Sequence, residues 1–138
     1  MFYLLDTNVV SELRKDPKKM DTKFRKWAES VDLNLCFLSV LSILELEQGI
    51  LAKERLDHAQ GEILRTWLKD YVLRVFKNRL LTIDLPVALL AASYHCPDPA
   101  PYYDALIAAS ASINSYTVAT RNISHFDRFG VASVNPWE

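Results

Sequence analysis

Four acidic side chains lie in apolar stretches of the sequence, where an ionised group is unusual. Asp6 ends the apolar run FYLL, Glu45 and Glu47 lie within SVLSILELEQGI, and Asp104 lies near the start of YYDALIAASASI. A lone ionised carboxylate is costly to bury. Two such charges ~4 Å apart also repel by about 4 kcal/mol at an effective dielectric of 20. If Asp6, Asp104 and one acid from the 45–47 region converge, they must share protons or hold a cation.

The ligand types in these stretches indicate which cation. Oxygen ligands without Cys or paired His favour Mg²⁺ or Mn²⁺ over Zn²⁺. A carboxylate-held Mg²⁺ that keeps several waters suits phosphoryl chemistry, because it activates a water and stabilises the leaving oxygen of a phosphodiester. Cys36 and Cys96 have no metal-ligand spacing and are expected to be reduced thiols without a function.

Asp6 also has a purely structural interpretation. Asp, Thr and Asn are all good N-cap residues, so one of Asp6, Thr7 or Asn8 is expected to cap the following helix. Judged on Asp6 alone, capping and function carry equal weight.

The helical periodicity around Glu45 and Glu47 leaves the choice between them open. The residues around Glu45 on a helical wheel include the small Ser42, Gly49 and Ala52, which suit the wall of a cleft. Glu47 falls on the more apolar side of the helix, so periodicity alone makes it the more deeply placed acid.

Asp104 has a structural alternative of its own. An acid in the first turn of a helix complements the helix dipole by about 0.3–1 kcal/mol, and Asp98 is then the expected cap. Ile107, Ala108 and Ala111 share the helix face of Asp104, and the two small alanines favour close packing and an inward position for this acid. A solvated acid would not require them.

A fourth polar cluster lies in VATRNISHFDRFGV, where Thr120, Arg121, Asn122, His125 and Asp127 follow an apolar run. As a plain loop it needs no chemistry, since Asn and Ser are common turn residues.

Short apolar runs alternate with helical periodicity along the chain. The pattern predicts strands at 2–5, 35–38, 79–83, 116–119 and 131–134, and helices at 8–14, 17–30, 39–56, 59–77, 86–95 and 102–114. We therefore expect an α/β fold with a central, mostly parallel sheet of four to five short strands and helices on both faces. Ligands of such folds bind at the carboxyl ends of the strands, which is where Asp6 lies.

The composition is that of a soluble protein with one domain over residues 1–138, half of its residues being hydrophobic and its net charge −1. No run is long enough for a membrane span, and no signal peptide is recognisable, so a cytoplasmic protein is expected. The charge is uneven, because residues 14–26 contain seven basic residues against two acids. These cations form either a solvated helix face or a surface that meets phosphate.

The motifs LLDTNVVSEL, LSVLSILELEQGI, YYDALIAASA, VATRNISHF and VNPWE, in this order and spacing, resemble PIN-domain ribonucleases of the VapC/FitB type. Those proteins are the toxins of type II toxin-antitoxin pairs. The resemblance covers nearly the whole chain and implies a PIN-like fold and a Mg²⁺-dependent endoribonuclease, with Mn²⁺ as a substitute.

The resemblance implies a role for three acids. Asp6 matches the acid that ends the first strand, Glu45 the helix acid of the pattern S-V-x-T-x-x-E-x-x-x-G, and Asp104 the acid before A-L-I-A-A. Asp6 and Asp104 would bind the metal directly and Glu45 directly or through water, while a metal-activated water attacks RNA. Glu47 stands where relatives often carry a basic residue. With Asp6 in this role, the helix cap is expected to pass to Thr7 or Asn8.

The remaining polar residues receive supporting roles under the same resemblance. Thr7 and Asn8 would position water or substrate, and Arg121 would lie near the scissile phosphate or form a salt bridge with the acids. Asn122 and His125 stand where relatives frequently have a fourth acid, and both bind Mg²⁺ less well than a carboxylate.

The expected partners are an RNA substrate, a VapB/FitA-like antitoxin whose tail lies in the cleft, and a second copy in a homodimer or higher assembly. Two other functions are weighed: a degenerate PIN domain that binds RNA or protein without cutting, and a small metal-dependent phosphatase. The phosphatase pattern requires a second acid two residues after Asp6, and this chain has Asn8 at that position.

Overall fold

The chain forms one parallel five-stranded sheet in a computed structural model that describes residues 1–138. Its strands are β1 (Tyr3–Leu5), β2 (Cys36–Ser39), β3 (Leu80–Leu81), β4 (Thr117–Ala119) and β5 (Ser133–Val134). Their order in the sheet is β3-β2-β1-β4-β5. The central strand is β1, in which Leu4 pairs with Phe37 of β2 on one side and with Val118 of β4 on the other. The predicted α/β fold is confirmed.

The helices are α1 (Thr7–Leu13), α2 (Thr22–Ser30), α3 (Val40–Leu56), α4 (His58–Trp67), α5 (Leu73–Val75), α6 (Leu85–Ser93), α7 (Tyr102–Asn114) and α8 (Ile123–Asp127). A π-helical turn, Leu68–Val72, joins α4 to α5. None of the helices is long and apolar enough to cross a membrane.

Neighbouring residues of β1 belong to two separate hydrophobic cores, because successive side chains of a strand point to opposite faces of the sheet. Leu4 packs with residues of α6, α7 and α8, whereas Leu5 packs with residues of α1 to α4. Val118 and Ala119 of β4 divide in the same way. The helices therefore cover both faces, as the two-sided apolar strands predict.

The predicted helix over 17–30 is interrupted, and two capping acids are the reason. Asp16 accepts a hydrogen bond from Lys18 N and starts only a 3₁₀ turn, Pro17–Lys19. Asp21 accepts from the N–H groups of Lys23 and Phe24, and this second cap starts α2. A strong N-cap inside a helical pattern competes with the helix that precedes it.

The basic segment, residues 14–26, presents its charges to solvent. Phe24 is fully buried, while all seven basic side chains are exposed. Two of the seven are neutralised locally, since Lys15 pairs with Glu12 at 2.9 Å and Arg25 pairs with Glu29 at 3.3 Å. The other five have no acidic partner, and they are Arg14, Lys18, Lys19, Lys23 and Lys26.

Candidate active site

Asp6 lies between the end of β1 and the start of α1, with 8% of its surface exposed. Its Oδ1 accepts a hydrogen bond from Thr7 N at 2.9 Å, and its Oδ2 accepts one from Thr120 Oγ1 at 2.8 Å. Asp6 is thus itself the N-cap of α1, and the prediction that the cap passes to Thr7 or Asn8 is wrong. A carboxylate has two oxygens with several lone pairs, so capping does not exclude a second role.

Glu45 is brought to the same edge by α3. Ser39, the last residue of β2, accepts a hydrogen bond from Leu41 N at 3.1 Å and so starts α3 at the carboxyl end of its strand. Less than two turns later, Glu45 Oε1 accepts a hydrogen bond from Thr7 Oγ1 at 2.8 Å. Thr7 Oγ1 also lies 3.0 Å from Oγ of the buried Ser42. These contacts tie the first turn of α1 to α3.

Asp104 lies in the first turn of α7, with 21% of its side chain exposed. The structural alternative for Asp104 made Asp98 the cap of this helix, but Pro101 occupies the N-cap position and no side chain caps the helix. Proline fixes the backbone before the helix without needing a capping side chain. Ala105 and Ala108 are fully buried, which lets α7 pack closely on the sheet. This close approach carries Asp104 inward, as the small residues predict.

The three acids act on each other electrostatically. Burial raises the pKa of Glu45 above its ordinary value, the hydrogen bond from Thr7 opposes this, and the charges of Asp6 and Asp104 raise it further. Burial also raises the pKa of Asp104, and Asp6 adds to the effect while His125 opposes it. Asp6, Glu45 and Asp104 therefore form one acidic site in which negative charge is not fully balanced.

The side chains of this site do not form a closed metal cage. No group of three or more His, Cys, Asp and Glu side chains stands ready to enclose a metal ion. Mg²⁺ usually keeps several waters and binds proteins through one or two carboxylates. An oxygen donor set with unbalanced negative charge fits a hydrated Mg²⁺ of this kind better than a metal that requires four protein ligands.

The cluster after β4 reaches the same site. His125 Nδ1 lies 3.2 Å from Asp104 Oδ2, so an imidazole lies against this acid. The N–H of Asn122 donates to Thr120 Oγ1 at 3.0 Å, while its own side chain is exposed and caps nothing. Arg121 N donates to Asn8 Oδ1 at 3.3 Å.

Arg121 forms no salt bridge with the acids, contrary to one of its two predicted roles. Its guanidinium instead lies over the ring of Trp137, 5.1 Å from the centroid. An aromatic face attracts a guanidinium without neutralising it, so the positive charge of Arg121 stays available beside the site.

Glu47 points to a different part of the molecule. It pairs with Arg65 of α4, which also binds Glu54 at 3.0 Å. The Glu47 side chain is 40% exposed, so it is not the buried acid that periodicity suggested. Helix α4 provides a cation on the apolar side of α3, and the wheel of α3 alone cannot show this.

Thr120 is the site residue whose role the sequence did not indicate. It is fully buried, and its hydroxyl accepts from Asn122 N while it donates to Asp6 Oδ2. Within a run of ordinary loop residues a threonine carries little signal. The available signal was its place directly after β4, at the same sheet edge as Asp6.

Replacing Thr120 with Val is expected to destabilise the fold by about 1–3 kcal/mol, because Asp6 Oδ2 loses its donor in a buried site. Urea denaturation of both proteins measures the difference. Thr120→Ser keeps the hydroxyl and is the matched control, expected to retain most of the stability. Equal stability of the Val variant and the wild type would contradict the role of this hydrogen bond.

Replacing Asp104 with Asn is expected to raise the Tm at neutral pH in EDTA, by about 2 °C after allowing for solvent screening. A raised folded-state pKa means that the ionised carboxyl opposes folding once the pH exceeds that pKa, and that the protonated carboxyl does not. The gain should therefore vanish as the pH falls below the unfolded carboxyl's pKa, near 4. Scanning calorimetry at the two pH values measures it, with the exposed Asp127→Asn as control. A gain that persists in acid would contradict this explanation.

Comparison with known proteins identifies relatives of the whole chain. A family model described as PIN domain matches residues 3–131. The toxin FitB of Neisseria gonorrhoeae is 37% identical over 141 residues, which cover 97% of each chain. The VapC ribonuclease Y4jK of Sinorhizobium fredii is 31% identical over 140 residues, covering 98% of this chain and 97% of its own.

Solved structures agree with these sequence relatives. The crystal structure of FitAcB from Neisseria gonorrhoeae superposes with a TM-score of 0.89 at 32% identity, covering 99% of both chains. The structural similarity therefore extends over nearly the whole length of both chains.

Proposed function

Since this chain belongs to the PIN-domain family, among relatives of the VapC/FitB toxin type, we propose that it is a Mg²⁺-dependent endoribonuclease and the toxin of a type II toxin-antitoxin pair. Residues 1–138 would act as a single PIN domain. The observation that carries the proposal is the meeting of Asp6, Glu45 and Asp104 at the carboxyl edge of the sheet, where burial and mutual repulsion raise the pKa of Glu45 and of Asp104.

Asp6 and Asp104 are the proposed direct metal ligands, and Glu45 binds the metal directly or through a water. A bound Mg²⁺ or Mn²⁺ would make water more acidic and stabilise charge on the phosphate. The hydrogen bonds to both oxygens of Asp6 hold its carboxylate in a fixed rotamer. Thr7 likewise orients Glu45 through its hydroxyl.

Four further residues have proposed supporting roles. Asn8 accepts from the backbone of Arg121 and so keeps the loop after β4 beside α1. Arg121 supplies a positive charge for a phosphate. His125, which lies against Asp104, orients that carboxylate. Asn122, whose amide is exposed, would contact the substrate.

A protein partner is proposed from the relatives. FitB is a toxin by name, and a solved structure similar to this chain is that of FitAB bound to a DNA fragment. We propose that this chain pairs in the cytoplasm with a VapB/FitA-like antitoxin that occupies the acidic cleft, and that it forms a homodimer or a higher toxin-antitoxin assembly.

A second candidate function is a degenerate PIN domain that binds RNA or protein without cutting. The observation in its favour is that the cluster after β4 brings an imidazole, His125, to Asp104 and leaves the amide of Asn122 exposed, where the resemblance implies a fourth acid. Neither is as good a Mg²⁺ ligand as a carboxylate.

One experiment separates these functions. The purified chain, free of antitoxin, is incubated with total RNA and with a phosphomonoester, each in Mg²⁺, Mn²⁺ and EDTA. We expect RNA cleavage with either metal and none in EDTA. Cleavage that persists in EDTA would contradict the metal requirement. RNA binding without cleavage would favour the degenerate domain, and turnover of the monoester alone would favour a phosphatase.

A further inference from the structure

Arg121 is a cation that the fold holds in place without neutralising it. Its backbone is bound on both sides, because its N–H donates to Asn8 Oδ1 and its carbonyl accepts from Asn135 Nδ2, each at 3.3 Å. Its side chain is exposed, has no acidic partner, and lies over the Trp137 ring. A fixed and unpaired guanidinium at the rim of an acidic site is poised to bind an anion from outside.

Trp137 connects this cation to the basic segment. Its ring lies 4.7 Å, centroid to centroid, from the ring of Phe24, which anchors α2 in the core. Its backbone N–H donates to Asn135 Oδ1 at 2.9 Å, and the same side chain binds the Arg121 carbonyl. Trp137 lies beyond residues 3–131, which the PIN-domain model matches. It therefore bridges two positively charged parts of the surface that are 95 or more residues apart in the sequence.

Two cations of α2 and both cations of the turn before it have no acidic partner in the chain either, whereas Arg25 of α2 pairs with Glu29. Lys23 and Lys26 flank Phe24 in the sequence of α2, and both are exposed and unpaired. Lys18 and Lys19 precede them in the 3₁₀ turn, also exposed and unpaired. Because the net charge of the chain is −1, this concentration of cations is local and not a property of the whole surface.

We propose that Arg121 and the exposed lysines of α2 form one binding surface for the phosphate backbone of single-stranded RNA, joined and held in place by Trp137. The inference rests on the proposed function for the nature of the ligand. Arg121 lies beside the acidic site, since its backbone N–H donates to Asn8 Oδ1 in the first turn of α1. An RNA strand bound along this surface would pass from the lysines over Trp137 and Arg121 toward the first turn of α1, which Asp6 caps.

The test measures RNA binding separately from cleavage. A fluorescein-labelled single-stranded RNA is titrated with the full chain in EDTA, over a series of KCl concentrations, by fluorescence polarisation. For single strands the plot of log K against log salt has a slope of about −0.7 for each phosphate neutralised. We expect Arg121→Gln to weaken binding and to reduce this slope by about 0.7, and the double change of Lys23 and Lys26 to Gln to reduce it by about 1.4.

Two further variants serve as controls. Lys77→Gln removes an exposed cation just before β3, hence at the amino edge of the sheet, and is expected to change neither affinity nor slope. Trp137→Phe keeps an aromatic face and is expected to bind nearly as the wild type, whereas Trp137→Leu is expected to weaken binding with the slope retained. A purely structural role of Trp137 would lower the Tm of the Leu variant without changing the affinity of the folded protein.

The outcomes distinguish this inference from the proposed function. If the wild type binds RNA and these variants bind it with unchanged affinity and slope, the inference is overturned, whether or not RNA is cleaved in Mg²⁺. Wild-type protein that binds no RNA overturns it as well. If the variants lose affinity as expected but no variant or wild-type protein cleaves RNA, the surface stands and the nuclease function fails. Variants that lose affinity only for an acidic protein partner would also overturn the assignment to RNA.

Discussion

Replacing Asp6 with Asn is expected to lower the rate of RNA cleavage by about 10³-fold, the equivalent of about 4 kcal/mol in the activation barrier. Asp6 is the most buried of the three acids and receives hydrogen bonds at both oxygens. An amide in its place keeps the size but loses the charge that the proposed metal requires. Single-turnover cleavage of a labelled RNA, followed across a Mg²⁺ titration, measures the effect.

The Asn substitution also changes the hydrogen bonding, so folding needs its own measurement. An amide presents one acceptor oxygen, whereas Asp6 accepts from Thr7 N with one oxygen and from Thr120 Oγ1 with the other. We therefore expect some loss of stability, of about 1 kcal/mol. Asp104→Asn disturbs only the contact with His125 Nδ1, 3.2 Å from Asp104 Oδ2, and is the second test of the same idea. Cleavage at the wild-type rate by either folded variant would contradict the assignment, and Asp127→Asn on α8 is the exposed control.

The fold was predictable because each level of the sequence points to the same arrangement. Leu4 and Leu5 of β1, like Val118 and Ala119 of β4, place apolar side chains on both faces of the sheet. This pattern is typical of a parallel sheet that helices cover on both sides. The boundaries were less predictable where a local contact competes with periodicity. Asp21 interrupts the predicted helix over 17–30, because its side chain caps the start of α2. The π-helical turn between β2 and β3 is not indicated by any spacing of apolar residues.

The candidate site was likewise predictable in part: the positions of its acids could be predicted from the sequence, but the hydrogen bonds that orient them could not. Acids at the ends of strands, such as Asp6, could be placed from sequence because the strand itself fixes where its last residue lies. The hydrogen bonds that orient them could not, since Thr120 and Asp6 are 114 residues apart. The same limit applies to Glu47, whose partner Arg65 lies on another helix. Local periodicity describes one element, and pairing between elements requires the fold.

Glu45→Gln is expected to lower metal affinity or the cleavage rate by about 10–100-fold, the usual effect of disturbing a residue that supports a metal site. The substitution is nearly isosteric, and the amide oxygen can still accept from Thr7 Oγ1, which lies 2.8 Å from Oε1 in the wild type. A loss of activity would therefore reflect the missing charge and not a misplaced helix. Cleavage rates across a Mn²⁺ titration, together with calorimetric Mn²⁺ binding, separate an effect on affinity from one on rate.

Glu47→Gln is the matched control, because it removes a carboxylate charge from the same helix, α3, two residues after Glu45. Its partner Arg65 keeps Glu54, and a partly exposed ion pair contributes only about 0–1 kcal/mol. We expect the variant to fold and to cleave RNA within about twofold of the wild type. Activity lost in the Glu47 variant and kept in the Glu45 variant would reverse the assignment of the helix acid. It would also mean that the hydrogen bond from Thr7 to Glu45 serves only to join α1 to α3.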